Sequence, residues 1–419
     1  MEHAACGNHA IIGTNSEAKC RKLSGTRPEC HFVFIIPCME RIKAINPDRI
    51  SWCSDERGVS IEEMAKDVGI AASTIEKLMS GDSGLTFGQL SKLSEYFGRG
   101  ALFFLEPGPV DAEQVHTRQF RTLANQKPEL SPRIKALIER AEKQRDLYLS
   151  LCEDLEINLD EFAPPNIQNM SIENAAGAIR GWLGLDGVNT FDGYRQRVEE
   201  KGALVFRSNG YAGKWQIPKQ NPILGFSIYD HRIPLIFVKK QAAEVRQTFT
   251  LMHELGHIVL HKSSYIDDIK DIYGGDGDEA EANSFAGLIL VPNAFLRQID
   301  DRNRPEDVSE YDVWLETYRR AWGVSGEVIL RRLMNARRLP KTKYNEYRRW
   351  REDFNETYTD GGSRKYRHRE PKHVFGDTFV RTVLDARSAR QISLAKATKY
   401  LDGLKLNDFH SLERYYEGV

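Results

Sequence analysis

The sequence predicts an α+β protein in three parts: an all-α N-terminal region of helix-turn-helix layout, a central region with a small sheet and two buried helices, and a helical C-terminal region. Three observations carry this prediction. Short amphipathic segments with helix-start and helix-stop residues follow one another from Asn46. Between Ala203 and Lys240 the hydrophobic pattern changes to short apolar runs rich in Val, Ile and Phe, separated by Gly, Pro, Asn and Asp. Directly after them, a proline-free apolar segment carries "TLMHELGHIVLH", with its polar residues at helical spacing.

At 419 residues the chain is too long for one ordinary domain. With 41% hydrophobic and 28% charged residues it has the composition of a soluble globular protein. No apolar run approaches the roughly 18 residues that span a bilayer, so no membrane partner is expected. A formal net charge of −1 provides no global attraction to nucleic acid, and any such binding must come from local charge. Four of the six cysteines (Cys6, Cys20, Cys30, Cys38) precede Met39, and only Cys53 and Cys152 follow. No disulfide framework is expected in the body of the chain, which fits a cytoplasmic protein. Residues 1–38 lack sustained periodicity and contain no CxxC pair, and they are read as a disordered extension without a zinc site.

Residues 39–108 contain four helices of about two turns, in "NPDRISWCSDERG", "SIEEMAKDVG", "AASTIEKLMSG" and "TFGQLSKLSEYFG". Ser60 and Glu63 form a capping box, Gly69 supplies the tight turn, and Gly81 ends the third helix. This layout resembles the helix-turn-helix domain of phage-repressor-type regulators, the XRE family. The resemblance implies that the third helix enters the major groove of double-stranded DNA, with Ser73, Thr74 and Lys77 as DNA contacts. Charge points the other way, since Glu40 to Glu106 holds eight Lys or Arg against eleven Asp or Glu. A protein-interaction or dimerisation module of the same shape therefore stays open.

Residues 109–165 are read as a linking region, with a long helix starting near Pro132 and ended by the prolines of "DEFAPPN". Residues 166–300 open with two helices and continue into strands at "ALVFRS", "KWQI", "ILGFSIYD" and "IPLIFVKK", with a hairpin turn at "YDHR". The last of these strands, if it lay at the sheet edge, could align an extended peptide by strand addition.

The segment "TLMHELGHIVLH" then poses the chemical question: a metal site with a general base, or three polar residues inside an apolar helix. Residues four apart share a helix face, so His253 and His257 can direct ring nitrogens to one point. Zn2+ accepts such nitrogens at about 2.0–2.1 Å and, in catalytic sites, takes three protein ligands and a water. Glu254, rotated by about 100° from His253, reaches that water from the side as a general base. His261 lies about 12 Å along the helix from His253 and cannot join the same ion. The third ligand is sought in "DGDEAEANSFAGLILVP", where Glu279 is the choice and Glu281 the alternative. Asn283 shares a face with Glu279 and is expected to hydrogen-bond one of the histidines. Tyr229, His231 and Tyr265 are candidate oxyanion donors by proximity alone.

The two stretches "TFTLMHELGHIVLH" and "EAEANSFAGLILVP" resemble the ImmA/IrrE family of zinc metallopeptidases. The resemblance implies a zincin-like fold of gluzincin type, with His253, His257 and Glu279 on Zn2+ and Glu254 as catalytic residue. It also implies cleavage of a partner repressor of the helix-turn-helix class, which derepresses stress-response or mobile-element genes. The alternative is a DNA-binding transcriptional regulator whose metal site is structural or sensory. Residues 301–356 are read as helical and again helix-turn-helix-like, and residues 357–419 as a loop and a last helical segment. From Tyr318 to His373 there are sixteen Lys or Arg against seven Asp or Glu, interleaved with Tyr344, Tyr347, Trp350, Tyr358 and Tyr366. That stretch is either a basic aromatic surface for nucleic acid or an acidic partner, or a solvated helical face.

Overall fold

A computed structural model of the chain describes residues 41–127, 129–159, 161–210, 213–274, 276–352 and 364–418. The expected N-terminal extension and Tyr358 lie outside the described residues. Helices of seven residues or more are numbered below.

The first unit holds α1 (Pro47–Arg57), α2 (Ile61–Val68), α3 (Ala72–Met79) and α4 (Phe87–Phe97). Two short strands, β1 (Arg41–Ile42) and β2 (Leu85–Thr86), pair antiparallel beside them. The expected capping box is present: the amide of Glu63 donates to Ser60 Oγ at 3.1 Å, and the amide of Ser60 donates to Glu63 Oε2 at 3.3 Å. The unit has its own core, which includes Ile50, Met64, Ile75, Leu90, Leu93 and Phe104.

Next come α5 (Arg118–Gln126), α6 (Pro132–Asp154), α7 (Ile172–Leu183) and α8 (Phe191–Glu199). The sheet that follows has four strands, β3 (Leu204–Arg207), β4 (Ile223–Ile228), β5 (Leu235–Val238) and β6 (Tyr265–Asp268), in the order β3-β5-β4-β6. β5 runs parallel to β3, and the β4–β5 and β4–β6 pairs are antiparallel. The hairpin at "YDHR" joins β4 to β5, and Asp230 Oδ1 accepts the amides of Arg232 and Ile233 to set the turn.

Three sequence expectations change here. "KWQI" is a turn, because Trp215 is only 3% exposed and its ring packs on Phe206, Phe237 and Phe375 from outside the sheet. β6 was not anticipated, and it is an edge strand. β5, from "IPLIFVKK", lies between β3 and β4, so both its ladders are filled and it cannot accept an added strand. The outward backbone of β6 is already met by side chains: Gln126 accepts from the amide of Ile266 and donates to the carbonyl of Ser264, and Asp271 accepts from the amide of Asp268.

On one face of the sheet lie α9 (Glu244–Gly256) and α10 (Asp278–Leu290), supported by α7 and α8 and by the later helices α11 (Glu316–Trp322), α12 (Gly326–Asn335) and α13 (Lys341–Glu352). On the other face lie α6 and α14 (Glu370–Ser388), with α15 (Leu394–Tyr400) and α16 (Leu406–Glu417) beside them. The expected linking helix α6 is thus a core element, burying Ile134, Leu137, Ile138 and Ala141 against the same cluster as Phe226 and Phe237. Arg195 fixes α14 to the sheet. It pairs with buried Glu199 and donates to the carbonyls of Val205, Lys372, His373 and Val374. Gly376, at φ 84°, kinks α14 where any side chain would collide with Glu199.

In the basic stretch near the C-terminus, read as either a binding surface or a solvated face, Tyr344 and Tyr347 are buried in the core and Trp350 packs against it. Residues 364–369, expected as loop, form a 3-10 helix, and among the named aromatics only Tyr366 is largely exposed. Among the described residues, no helix is long and apolar enough to cross a membrane.

Candidate metal centre

α9 is buried almost throughout because Phe249, Leu251, Met252 and Leu255 fill the core between the sheet and α10. Its polar groups are placed rather than scattered: Thr248 and Thr250 return their hydroxyls to the carbonyls of Glu244 and Arg246. At His257 the helix widens into a π turn, His257–His261, a feature that recurs at functional sites. Gly256 lets α10 approach, since a Cβ there would meet Phe285 Cδ1 at 3.1 Å and Ala282 Cα at 3.4 Å. That contact is between helices. Gly287, further along α10, faces Arg332 of α12.

His253 and His257 are both fully buried, and their Nε2 atoms lie 3.1 Å apart. Glu279 Oε2, from the first turn of α10, is 3.2 Å from His253 Nε2 and 3.5 Å from His257 Nε2. A residue not singled out from the sequence completes the group: Asp267 Oδ2 on β6 is 3.4 Å from each of the same two nitrogens. The four donor atoms lie within 4.8 Å of one another. Two ligands held 2.0–2.1 Å from a tetrahedral ion are about 3.3 Å apart, so these spacings fit a single zinc-sized ion.

The electrostatics point the same way. Glu279 Oε2, both oxygens of Asp267 and both oxygens of Glu254 are buried without a hydrogen-bond partner among the described residues. Buried carboxylates left in that state are costly unless a cation joins them. Burial alone would depress the histidines, but the Asp267 and Glu279 carboxylates outweigh it and push His253 up to about 9 and His257 upward. Against the same burial, His253 and His257 hold the Asp267 and Glu279 carboxyls below the usual range. Burial, reinforced by the Asp267 charge, raises Glu254 well above a normal carboxylate.

Glu254 is fully buried and faces β4, where Gly225 leaves room for its carboxylate: a Cβ at Gly225 would stand 2.5 Å from Glu254 Oε1 and 2.8 Å from Thr250 Cγ2. Asn283 does not reach a histidine as expected. Its Nδ2 donates to the carbonyl of Asp271 at 2.9 Å, because the α10 face it occupies looks toward the segment after β6. The partner of His257 is instead His261, with Nδ1 atoms 3.0 Å apart, and Glu281, the alternative ligand, faces His261 Nε2 at 3.4 Å. Tyr265 stacks on His257, with ring centroids 3.9 Å apart, and donates to Asp278. Tyr229 packs at the margin of the core and His231 is exposed on the hairpin.

Two known families match parts of the chain. Residues 215–334 match the M78 peptidase family described as the IrrE N-terminal-like domain. This chain carries an IrrE-like M78 peptidase domain. Residues 55–104 match the helix-turn-helix family, so an XRE-type domain precedes it. No curated protein matches the chain. The IrrE-like match spans β4, β5, α9, β6 and α10, the elements that supply every donor above. The helix-turn-helix match includes α3, on which Ser73 and Lys77 are exposed and Thr74 is half-buried.

Asp267 of the IrrE-like domain escaped the sequence reading because β6 is only four residues long. The one available signal was its alternation: Tyr265 and Asp267 share one face while Ile266 enters the opposite core.

Proposed function

We propose that this protein is a cytoplasmic zinc endopeptidase that cleaves a partner repressor of the helix-turn-helix class, derepressing stress-response or mobile-element genes. The observation that carries this reading is the placement of Glu254 beside the convergent donors of His253, His257 and Glu279. A purely structural centre needs no such base. Zn2+ bound by these residues supplies Lewis acidity toward a carbonyl oxygen and acidifies water. Glu254 accepts the proton of the attacking water and delivers it to the leaving amide nitrogen, its carboxylate held in the space that Gly225 leaves on β4. The two histidines are carried by one rigid helix and Glu279 by another against it, so the ligands are set before any substrate arrives. The helix-turn-helix unit supplies recognition, of the repressor or of its DNA, through the exposed side of α3.

The test is Glu254→Gln. Zinc content stays at wild-type level while cleavage of a co-expressed helix-turn-helix repressor stops. Equal cleavage by the variant would refute the mechanism. A second reading, a DNA-binding regulator with a structural or sensory metal site, is favoured by one observation, the fourth donor Asp267, since structural sites are closed by four protein ligands. Under that reading the wild type cleaves no repressor and metal removal changes DNA binding instead.

A further inference from the structure

We infer that Asp267 is a fourth protein ligand of the metal centre, and that it keeps the centre closed to outside ligands in the free protein. The inference rests on the zinc reading above and adds to it a donor from the sheet.

The argument is one of direction. A carboxylate that merely orients a ligating histidine meets the ring nitrogen turned away from the metal. Asp267 does the reverse. Its Oδ2 lies 3.4 Å from Nε2 of both histidines, the same two atoms that Glu279 approaches at 3.2 and 3.5 Å. The nitrogens turned away are accounted for otherwise, with His257 Nδ1 facing His261 and His253 Nδ1 having no hydrogen-bond partner. Five separations among the four donor atoms run from 3.1 to 3.5 Å and all four atoms lie within 4.8 Å of one another, so one ion can be reached by Asp267 together with the other three.

Burial gives the second strand of the argument. Asp267 is 1% exposed and neither carboxylate oxygen finds a hydrogen-bond donor. No Lys or Arg is among the groups that most influence it. With Glu279 and Glu254 it makes three carboxylates at one buried point, and a divalent cation ligated by two of them relieves most of that charge. The position also has a consequence. Asp267 rides on β6, the edge strand, whose outer backbone groups are held by Gln126 and Asp271. A peptide added to that edge would replace those side-chain bonds and act on the strand that carries the closing ligand.

The experiment uses the full chain loaded with Co2+, whose visible bands report coordination, and azide as the outside ligand. Wild type is expected to show intense four-coordinate bands that azide leaves unchanged. Asp267→Ala is expected to take up azide with a clear spectral shift, and to lose at least tenfold in zinc affinity by chelator competition. Asp267→Asn, which keeps the shape, guards against loss of fold and should be intermediate. Azide uptake by wild type equal to that of the variants, or unchanged zinc affinity in both variants, overturns the inference. His253→Ala separates the two levels: if it retains wild-type metal affinity, the zinc reading itself fails, whatever Asp267 does.

Discussion

Gly225 on β4 lies so close under Glu254 that a methyl group in place of its hydrogen would stand 2.5 Å from Oε1 of the carboxylate. Thr250 Cγ2, at 2.8 Å, and the carbonyl of Phe237, at 3.0 Å, close the other sides. Gly225→Ala must therefore displace Glu254 or shift β4. Cleavage is expected to fall on the order of 10²-fold, the cost of a misplacement near 1 Å. Metal content should hold, because no ligand is touched. Activity assay beside metal analysis checks this, and wild-type turnover in the variant would show that Glu254 has room to spare.

His261 stands outside the four convergent donors but against one of them, its Nδ1 facing that of His257 at 3.0 Å. Partners of this kind fix the ring and tautomer of a ligating histidine, and their loss typically costs 10–100-fold in metal affinity. His261→Ala is expected to lower zinc affinity in that range. Glu281→Gln, one step further out, should have a smaller effect. Chelator competition on the two variants gives the order.

Gln126 acts as a short substitute for a fifth strand, bonding the amide of Ile266 and the carbonyl of Ser264. Gln126→Ala leaves both groups to water. Hydrogen exchange at Ile266 should accelerate about fivefold to tenfold, the equivalent of a net hydrogen bond of about 1 kcal/mol. Exchange within β5, whose ladders are internal, should not change.

His116 joins the helix-turn-helix unit to the catalytic core, with Nε2 3.2 Å from Glu56 on α1 and Nδ1 2.9 Å from Glu139 on α6. Burial opposes its charge, but the two carboxylates outweigh burial and raise its pKa. A raised folded-state pKa gives stability that is complete below the unfolded value near 6.5 and is lost as pH rises through the folded value. Glu139 is held at about 2 by His116 and Arg99 against burial, so its contribution is present above about 4.5 and fades as pH falls toward 2. Thermal stability should thus decline as pH rises above about 6.5, and His116→Gln should flatten that decline. A parallel decline in the variant would place its cause elsewhere.

Local features were legible in the sequence for physical reasons. The Ser60–Glu63 capping box is a contact three residues long, and it formed as expected. The spacing of His253 and His257 is fixed by helix geometry, so their convergence followed once the helix was recognised. Glu279 needed one further inference, that the third ligand comes from the segment "DGDEAEANSFAGLILVP". Failures came where side-chain direction depends on distant elements. Trp215 looked like strand because its neighbours alternate, but its ring is captured by Phe237 and Phe375. For Tyr344 and Tyr347 the surrounding cations left a binding surface and a solvated face both open, and the helix turns the two rings inward.

The sequence by itself determined the helices, their caps, and a pair of histidines with a base between them, because these depend on the period and chemistry of neighbouring residues. Only the tertiary structure decided that β5 is internal and β6 the edge, that α6 and α14 build one core with the sheet, and that Asp267 meets the histidines. Strand order and the meeting of residues from separate elements are set by packing between distant segments, and no local pattern encodes them.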